Sequence, residues 1–408
     1  MLTQNDKSTG DWATSNNISL NLVDEVTKSF YLPKKVYLHD TTLRDGEQFT
    51  GVEFTKKDKI IIGKALSDYG VHRIEIMPAV SKDDFEATAE LVSMGLRSKI
   101  VGFCRSVQSD IDKTIKAGCK SIVLEIPASP YILKAFGWSL EEASDKMIKM
   151  ATYAKSKGLL LTAFFVCLTD APLAFIEKFI KRVLNNAEVD SIAIPDTQSK
   201  CLPNAVFNLV RNIKEWTDKP IEIHSHNAFS LGVANAMAAV MAGAEVVHTC
   251  VNGLGEGTGN ASLDAVAVNL KLMMGIDTGV NFKKTYELSK LVEKLAQVPL
   301  QDNWPLSGQR VFTTEAGISV DIYAKLAKKG LALPPELDIA NNIGRKKGIA
   351  IGKLSGTTSI AIKMNELGLG NASKDQISII LDKVKQKSIE KHDILTDDEF
   401  KEIVQLIK

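Results

Sequence analysis

The stretch VYLHDTTLRDGEQFTGVEFTKKDKIIIGKALSDYGVHRIEIMP, residues 36–78, decides the fold. It opens and closes on short β-branched and apolar runs, with a helical pattern between them. Thr55 can cap that helix, Ile61, Ile62, Ala65 and Leu66 give it one apolar face, and Gly70 stops it where the second run begins. The stretch therefore reads as strand, crossover helix, strand. Six further runs continue the rhythm: SKIVGFC (98–104), SIVLEIP (121–127), LLLTAFFV (159–166), SIAIPDT (191–197), IEIHSHN (221–227) and VVHTCVNG (246–253). Each is a continuous apolar run, the sign of a parallel sheet covered on both faces. Eight such units in about 230 residues predict an α/β chain built on a (β/α)₈ TIM barrel, with a doubly wound open sheet as the alternative.

Outward from that core the rhythm fails at both ends. Residues 1–30 are polar and weakly patterned and read as an N-terminal arm. Residues 31–280 hold the catalytic barrel. Residues 281–408 read as C-terminal subdomains, mainly helical: YELSKLVEKLAQV, then a stretch punctuated by Pro305, Gly308, Pro334 and Pro335, then two amphipathic helices in DQISIILDKVKQKSIEKHD and DDEFKEIVQLIK. Those last helices look too small to stand alone, so they are expected to pack on the barrel or on a partner subunit.

Composition narrows the function classes. Of 408 residues 45% are hydrophobic and 24% charged, which excludes disorder and collagen. A formal net charge of +1 supplies no field for nucleic acid or an anionic membrane. The opening MLTQNDKSTGDWATS lacks the basic and apolar segments of a secretory signal. Leu231–Val247 is broken by Asn235 and Glu245, so a buried helix is expected there rather than a membrane span. Five cysteines without a Cys-x-x-Cys pair suggest ordinary buried thiols, and a cytoplasmic protein.

In a TIM barrel the reacting groups sit at the C-terminal ends of the strands. The polar residues gather there: Asp40, Arg44, Asp45 and Glu47 after the first strand, Glu75 in the second, Asp196 and Thr197 ending the sixth, His224 and His226 in the seventh, and NGLGEGTGN (252–260) after the eighth. His224 and His226, two apart on a strand, point to one face. With Asp45 opposite they form two imidazoles and a carboxylate, a set that holds a divalent metal and leaves positions open; the alternative for each histidine is a satisfied core residue. Arg44 beside them would stabilise an oxyanion, or else form a surface ion pair with Glu47 or Asp40. Glu75 could orient a metal-bound water or Arg44, or only balance charge. The four glycines of NGLGEGTGN allow close backbone approach to a ligand, or a tight turn into the next helix. His72 and His392 read as structural; His39 and His248 stay undecided.

At these residues the chain resembles the DRE-TIM metallolyases, the family of 2-isopropylmalate synthase, homocitrate synthase and 3-hydroxy-3-methylglutaryl-CoA lyase. The likeness runs through DTTLRDGEQ, RIEIMPA, IPDT, HSHN and NGLGEGTGN, and continues in FTTEAGI and IGKLSGT, which resemble the synthase branch's C-terminal signatures. It implies a divalent metal (Mg²⁺, Mn²⁺ or Zn²⁺) on Asp45, His224, His226 and Asn260. It further implies Arg44 and Glu75 as catalytic groups, Thr197 as a contact to a 2-oxo acid carboxylate and Gln48 as a second substrate contact. The activity implied is a Claisen condensation of acetyl-CoA, or a close acyl-CoA, with a 2-oxo acid, as in the isopropylmalate, homocitrate, citramalate and Re-citrate synthases. A carbon–carbon lyase is the alternative, and a silent paralogue that only binds a ligand the third reading. A homodimer follows from the same resemblance.

Departures from the synthase pattern are specific. Thr314 and Ser319 stand where synthases carry histidines, Thr169 where they tend to carry a glutamate, and Ala228 where the His-x-His-Asn-Asp run should end. A hydroxyl stays protonated near neutral pH, so it cannot replace an imidazole as base. Asp170, Glu315, Asp321 and Tyr323 are the candidates within the altered segments.

Overall fold

The structure is a computed structural model that describes residues 19–331 and 339–407. Most of the expected N-terminal arm, including the segment read for a secretory signal, lies outside the described residues, as do Pro334 and Pro335. The chain forms two compact units, dividing between Leu300 and Gln301.

In the first unit the eight expected runs are eight parallel strands: β1 (Tyr37–Asp40), β2 (Arg73–Ile76), β3 (Lys99–Arg105), β4 (Ser121–Pro127), β5 (Leu160–Val166), β6 (Ser191–Asp196), β7 (Ile221–Ser225) and β8 (Val246–Thr249). Each pairs with the next, and β1 pairs with β8 through Tyr37↔Val246 and His39↔His248, closing the barrel. Closure excludes the open doubly wound sheet. The helix after β1 runs Lys56–Tyr69, with Thr55 and Asp58 capping one another and Gly70 turning left-handed at its end. Leu231–Val247 resolves into a helix over Gly232–Met241 and the start of β8, and no described helix is long and apolar enough to cross a membrane.

Alternation along the strands sends every second side chain into the cylinder. That interior is asymmetric. From β3 to β6 it carries a hydrocarbon layer, in which Val101, Phe103, Val123, Phe164 and Ala193 form one buried cluster with Met77 and Val166 packed against it. Around β7, β8, β1 and β2 it is polar, with Glu222, His224, His248, His39 and Glu75 all buried.

At the N-terminal end of the barrel, the Leu38 N–H donates to His72 Nδ1 at 3.1 Å. Burial, then Lys35, Arg97 and Arg73, pushes this imidazole down to about 4. The unfolded chain takes up that proton more readily, so the stability His72 contributes is present above pH 6.5 and is lost as pH falls towards 4. A His72→Gln variant keeps an acceptor that does not titrate. It is expected to lose less unfolding free energy than the parent across that window, as read by denaturant melts at both ends.

The second unit is mainly helical, with one short parallel pair between Thr313–Thr314 and Gly348–Ile349. Its helices Thr357–Glu366, Lys374–Lys391 and Asp397–Ile407 enclose a core of Ile351, Ile360, Met364, Ile380, Val384, Leu395, Phe400, Ile403 and Val404. This corrects the sequence expectation that the last helices have no core of their own. The additional helix at Thr357 supplies the third apolar face.

Candidate active site

β1 ends at Asp40, and a tight turn then brings Arg44 and Asp45 over the barrel mouth, where both are buried. Asp45 Oδ2 accepts from Arg44 Nη1 at 2.7 Å and lies 3.1 Å from His224 Nε2 and 3.8 Å from His226 Nε2. The two imidazole nitrogens face one another at 3.2 Å. The structure thus brings together the carboxylate and both histidines singled out in the sequence. Asn260 joins them because its backbone bridges to His226. Its Nδ2 is held by Leu254 O at 3.2 Å and Cys250 Sγ at 3.4 Å, while its Oδ1 is buried without a hydrogen-bond partner among the described residues.

Burial opposes ionisation of Asp45, but Arg44 and the bond to His224 outweigh it and hold the carboxyl well below the usual range. Burial, then the His224 charge, pushes His226 down to about 4, and burial likewise lowers His224. Near neutral pH the cluster is one carboxylate and two neutral imidazoles. Those donors, with an orphaned amide oxygen beside them, fit a divalent cation.

Glycine is needed in the loop after β8. Gly255 takes φ +150°, and a Cβ there would lie 2.2 Å from Asn260 Nδ2 and 3.0 Å from Asp45 Oδ1. A Cβ on Gly259, at φ +82°, would meet Gly253 O at 1.8 Å. These bare positions let the loop close on Asp45, whose Oδ1 accepts from Glu256 N at 3.0 Å.

Glu75 accepts from Arg44 Nε through Oε1, and its Oε2 lies 3.0 Å from His39 Nε2. Of the groups weighed for Glu75, Arg44 is the one it touches, a contact that both orients the guanidinium and balances its charge. The surface ion pair considered for Arg44 is absent, since its guanidinium is buried between Glu75 and Asp45 and Glu47 pairs with Lys59 instead. His39 stacks on His248 at 4.2 Å, and His248 Nε2 lies 2.8 Å from Glu222 Oε2, which also receives Arg73. A buried column of ion pairs and imidazoles therefore runs down the polar side of the barrel, from Arg44 and Glu75 through His39 and His248 to Glu222 and Arg73. Glu222 was missed in the sequence, although it lies two residues before His224 and shares its inward face; the alternation that paired the histidines extends back to it.

Two expected rim groups turn elsewhere. Asp40 accepts from Thr42 N, and burial pushes its carboxyl up to about 7. Asp196 is saturated by Thr169 Oγ1, the Lys200 and Cys201 N–H groups and Asn235 Nδ2. Both carboxylates fasten their own loops. The Thr197 hydroxyl accepts from Cys167 N at 3.2 Å and also lies against the Cys167 thiol. Gln48 is exposed and lines, with Arg44 and Met77, a cavity of about 950 Å³ between the loops after β1 and β2. A cavity of about 510 Å³ opens at the far end among the strand starts, lined by His72, Arg73, Thr162 and Glu222. The N-terminal face of such barrels carries stability rather than chemistry.

The HMGL-like family pattern matches residues 35–292. The chain belongs to the HMGL-like family. The 2-isopropylmalate synthase of Methanocaldococcus jannaschii is 36% identical over 89% of this chain and 70% of its own length. The homocitrate synthase AksA of the same organism is 34% identical over 91% of each. Among solved structures, the hydroxymethylglutaryl-CoA lyase of Pseudomonas aeruginosa superposes with a TM-score of 0.57 at 19% identity, covering 65% of this chain and 94% of that one, a likeness of fold. The HMGL-like match spans β1 to β8 and ends in the helix Thr285–Ala296.

Proposed function

We propose that this HMGL-like enzyme joins acetyl-CoA, or a close acyl-CoA, to a 2-oxo acid in a divalent-metal-dependent Claisen condensation, giving a 2-hydroxy di- or tricarboxylate. The observation that carries the reading is the buried Asp45–His224–His226 cluster with Arg44 against it, in a chain whose relatives over nine tenths of its length include a synthase. Asp45, His224, His226 and Asn260 would hold the ion. When bound, the ion supplies Lewis-acid polarisation of a carbonyl oxygen.

The chain's own side chains set the rest. Arg44, fixed by Glu75 and Asp45, presents a guanidinium to the oxygen on which negative charge grows as the new bond forms. The Thr197 hydroxyl, held by Cys167 N at the end of β6, would contact the substrate carboxylate. Gln48 contacts substrate from the cavity it shares with Arg44. Thr169, Thr314 and Ser319 stay neutral and hold no proton-accepting charge. Those hydroxyls favour the second reading, cleavage of a 3-hydroxy acyl-CoA or a 4-hydroxy-2-oxo acid. A cytoplasmic homodimer that engages small molecules, and neither nucleic acid nor membrane, accompanies the proposal, supported by the near-zero net charge.

The test is thiol release on mixing the protein with Mg²⁺, Mn²⁺ or Zn²⁺, acetyl-CoA and a panel of 2-oxo acids. Release with at least one acceptor, abolished by EDTA, is the expected outcome. Silence with every acceptor, alongside cleavage of a hydroxyacyl thioester, would move the assignment to the lyase.

A further inference from the structure

We propose that the acceptor is a 2-oxo acid whose substituent is uncharged and apolar, and that acceptors carrying a second carboxylate are rejected. The inference rests on the condensation reading and deepens it, drawing on residues on the other side of the mouth from the histidine cluster.

On the condensation reading the carbonyl of the 2-oxo acid is set against Arg44, Asp45 and the two histidines, and its carboxylate against Thr197 at the end of β6. The substituent must then project towards β3, β4 and β5. The Arg44 guanidinium carbon lies 4.2 Å from the Phe103 ring centroid and 5.8 Å from that of Phe164. Phe103 and Phe164 meet edge to face at 5.7 Å, and half-buried Met77 and Val166 continue the same cluster towards the mouth. A substituent leaving the carbonyl therefore meets hydrocarbon, which favours a methyl or a branched alkyl group.

Charge around this wall points the same way. Glu125, two residues after Val123 of the apolar cluster, stands beside Phe164 and Arg105 in the strand register. It has no side-chain hydrogen bond or ion pair among the described residues, and burial pushes its carboxyl up against the pull of Arg44 and Arg105. The neighbouring cations are committed. Arg105 gives two hydrogen bonds to Asp110, at 2.8 and 3.0 Å, Lys200 is paired with Asp170, and Arg44, bound to Glu75 and Asp45 through Nε and Nη1, keeps only Nη2 for the reacting oxygen. A second carboxylate would be desolvated against two phenyl rings, beside the Glu125 carboxyl, with no further cation around this wall among the described residues to receive it.

The experiment compares pyruvate and 2-oxoisovalerate with 2-oxoglutarate and oxaloacetate. It uses the full chain with Mn²⁺, reading thiol release with acetyl-CoA and, separately, acceptor binding by isothermal titration. The neutral acceptors are expected to exceed the dicarboxylates in kcat/KM by at least about 100-fold, and to bind when the dicarboxylates do not. Equal or inverted preference overturns the inference while leaving the condensation reading intact. Failure of every acceptor to bind or react overturns both. Glu125→Arg, which supplies the missing cation, is expected to narrow the ratio by about tenfold, and Glu125→Gln by less. A folded variant with an unchanged ratio removes Glu125 from the argument and overturns it.

Discussion

Replacing Asp45 by alanine is expected to abolish turnover and leave the barrel folded. Among the described residues Asp45 is the only anion in contact with both His224 and His226, and Arg44 Nη1 reaches it at 2.7 Å. Without it, two neutral imidazoles and an amide remain, too weak a set to keep a divalent ion against water. The loss should be at least about a thousandfold in kcat/KM, roughly 4 kcal/mol at 1.36 kcal/mol per decade. The fold survives because Arg44 stays tied to Glu75, and the turn after β1 keeps its backbone bonds to Thr41 O. Thiol release measures the first effect, and thermal melts with and without added Mn²⁺ measure the second. The parent should gain stability from the ion and the variant should not. A variant with a near-normal rate, or one still stabilised by the ion, would refute the ligand assignment.

Arg44→Ala is expected to damage stability and chemistry together. Glu75 is fully buried, and although burial works against its charge, Arg44, with help from His39, keeps it ionised. Removing the guanidinium leaves a buried carboxylate with only an imidazole for company, a situation that costs about 3–5 kcal/mol. The same substitution deletes the donor aimed at the developing oxyanion, worth about 10²–10³ in kcat. Arg44→Lys keeps a charge yet cannot reach Glu75 and Asp45 through separate nitrogens of a rigid fork, so it should recover stability more than rate. Urea melts and initial rates on the three proteins decide this. An alanine variant within about 1 kcal/mol of the parent would mean that the interior relaxes or admits water around Glu75.

Much of the barrel was legible because a parallel sheet covered on both faces leaves continuous apolar runs. The eight runs quoted from the sequence overlap the eight strands, missing mainly at ends such as Cys250–Gly253, where β8 has already given way to the glycine loop. The metal cluster was legible for a similarly local reason: His224 and His226 obey a two-residue period, and Asp45 lies just past a strand end. Chain position alone could not say which way a strand-end carboxylate turns. Asp40 and Asp196 were read as rim groups, but both bond the N–H groups of the loops that follow them, a choice made by loop geometry. Glu222, His39 and His248 became visible only when β7, β8 and β1 were set side by side, because their partners lie 26 to 36 residues away or across the closing seam. The helical unit was underestimated for a packing reason, since amphipathic helices taken in pairs show two faces and hide the third.

The self-contained hydrophobic interior of the second unit has an evolutionary corollary. Thr314 and Ser319, two of the positions that depart from the synthase pattern, lie in this second unit, whose last three helices close around Ile360, Ile380 and Phe400. Substitutions there can accumulate without exposing the ion-paired interior that Arg44 and Glu75 occupy. A lineage is thus free to change the sequence of one unit while inheriting the interior of the other intact.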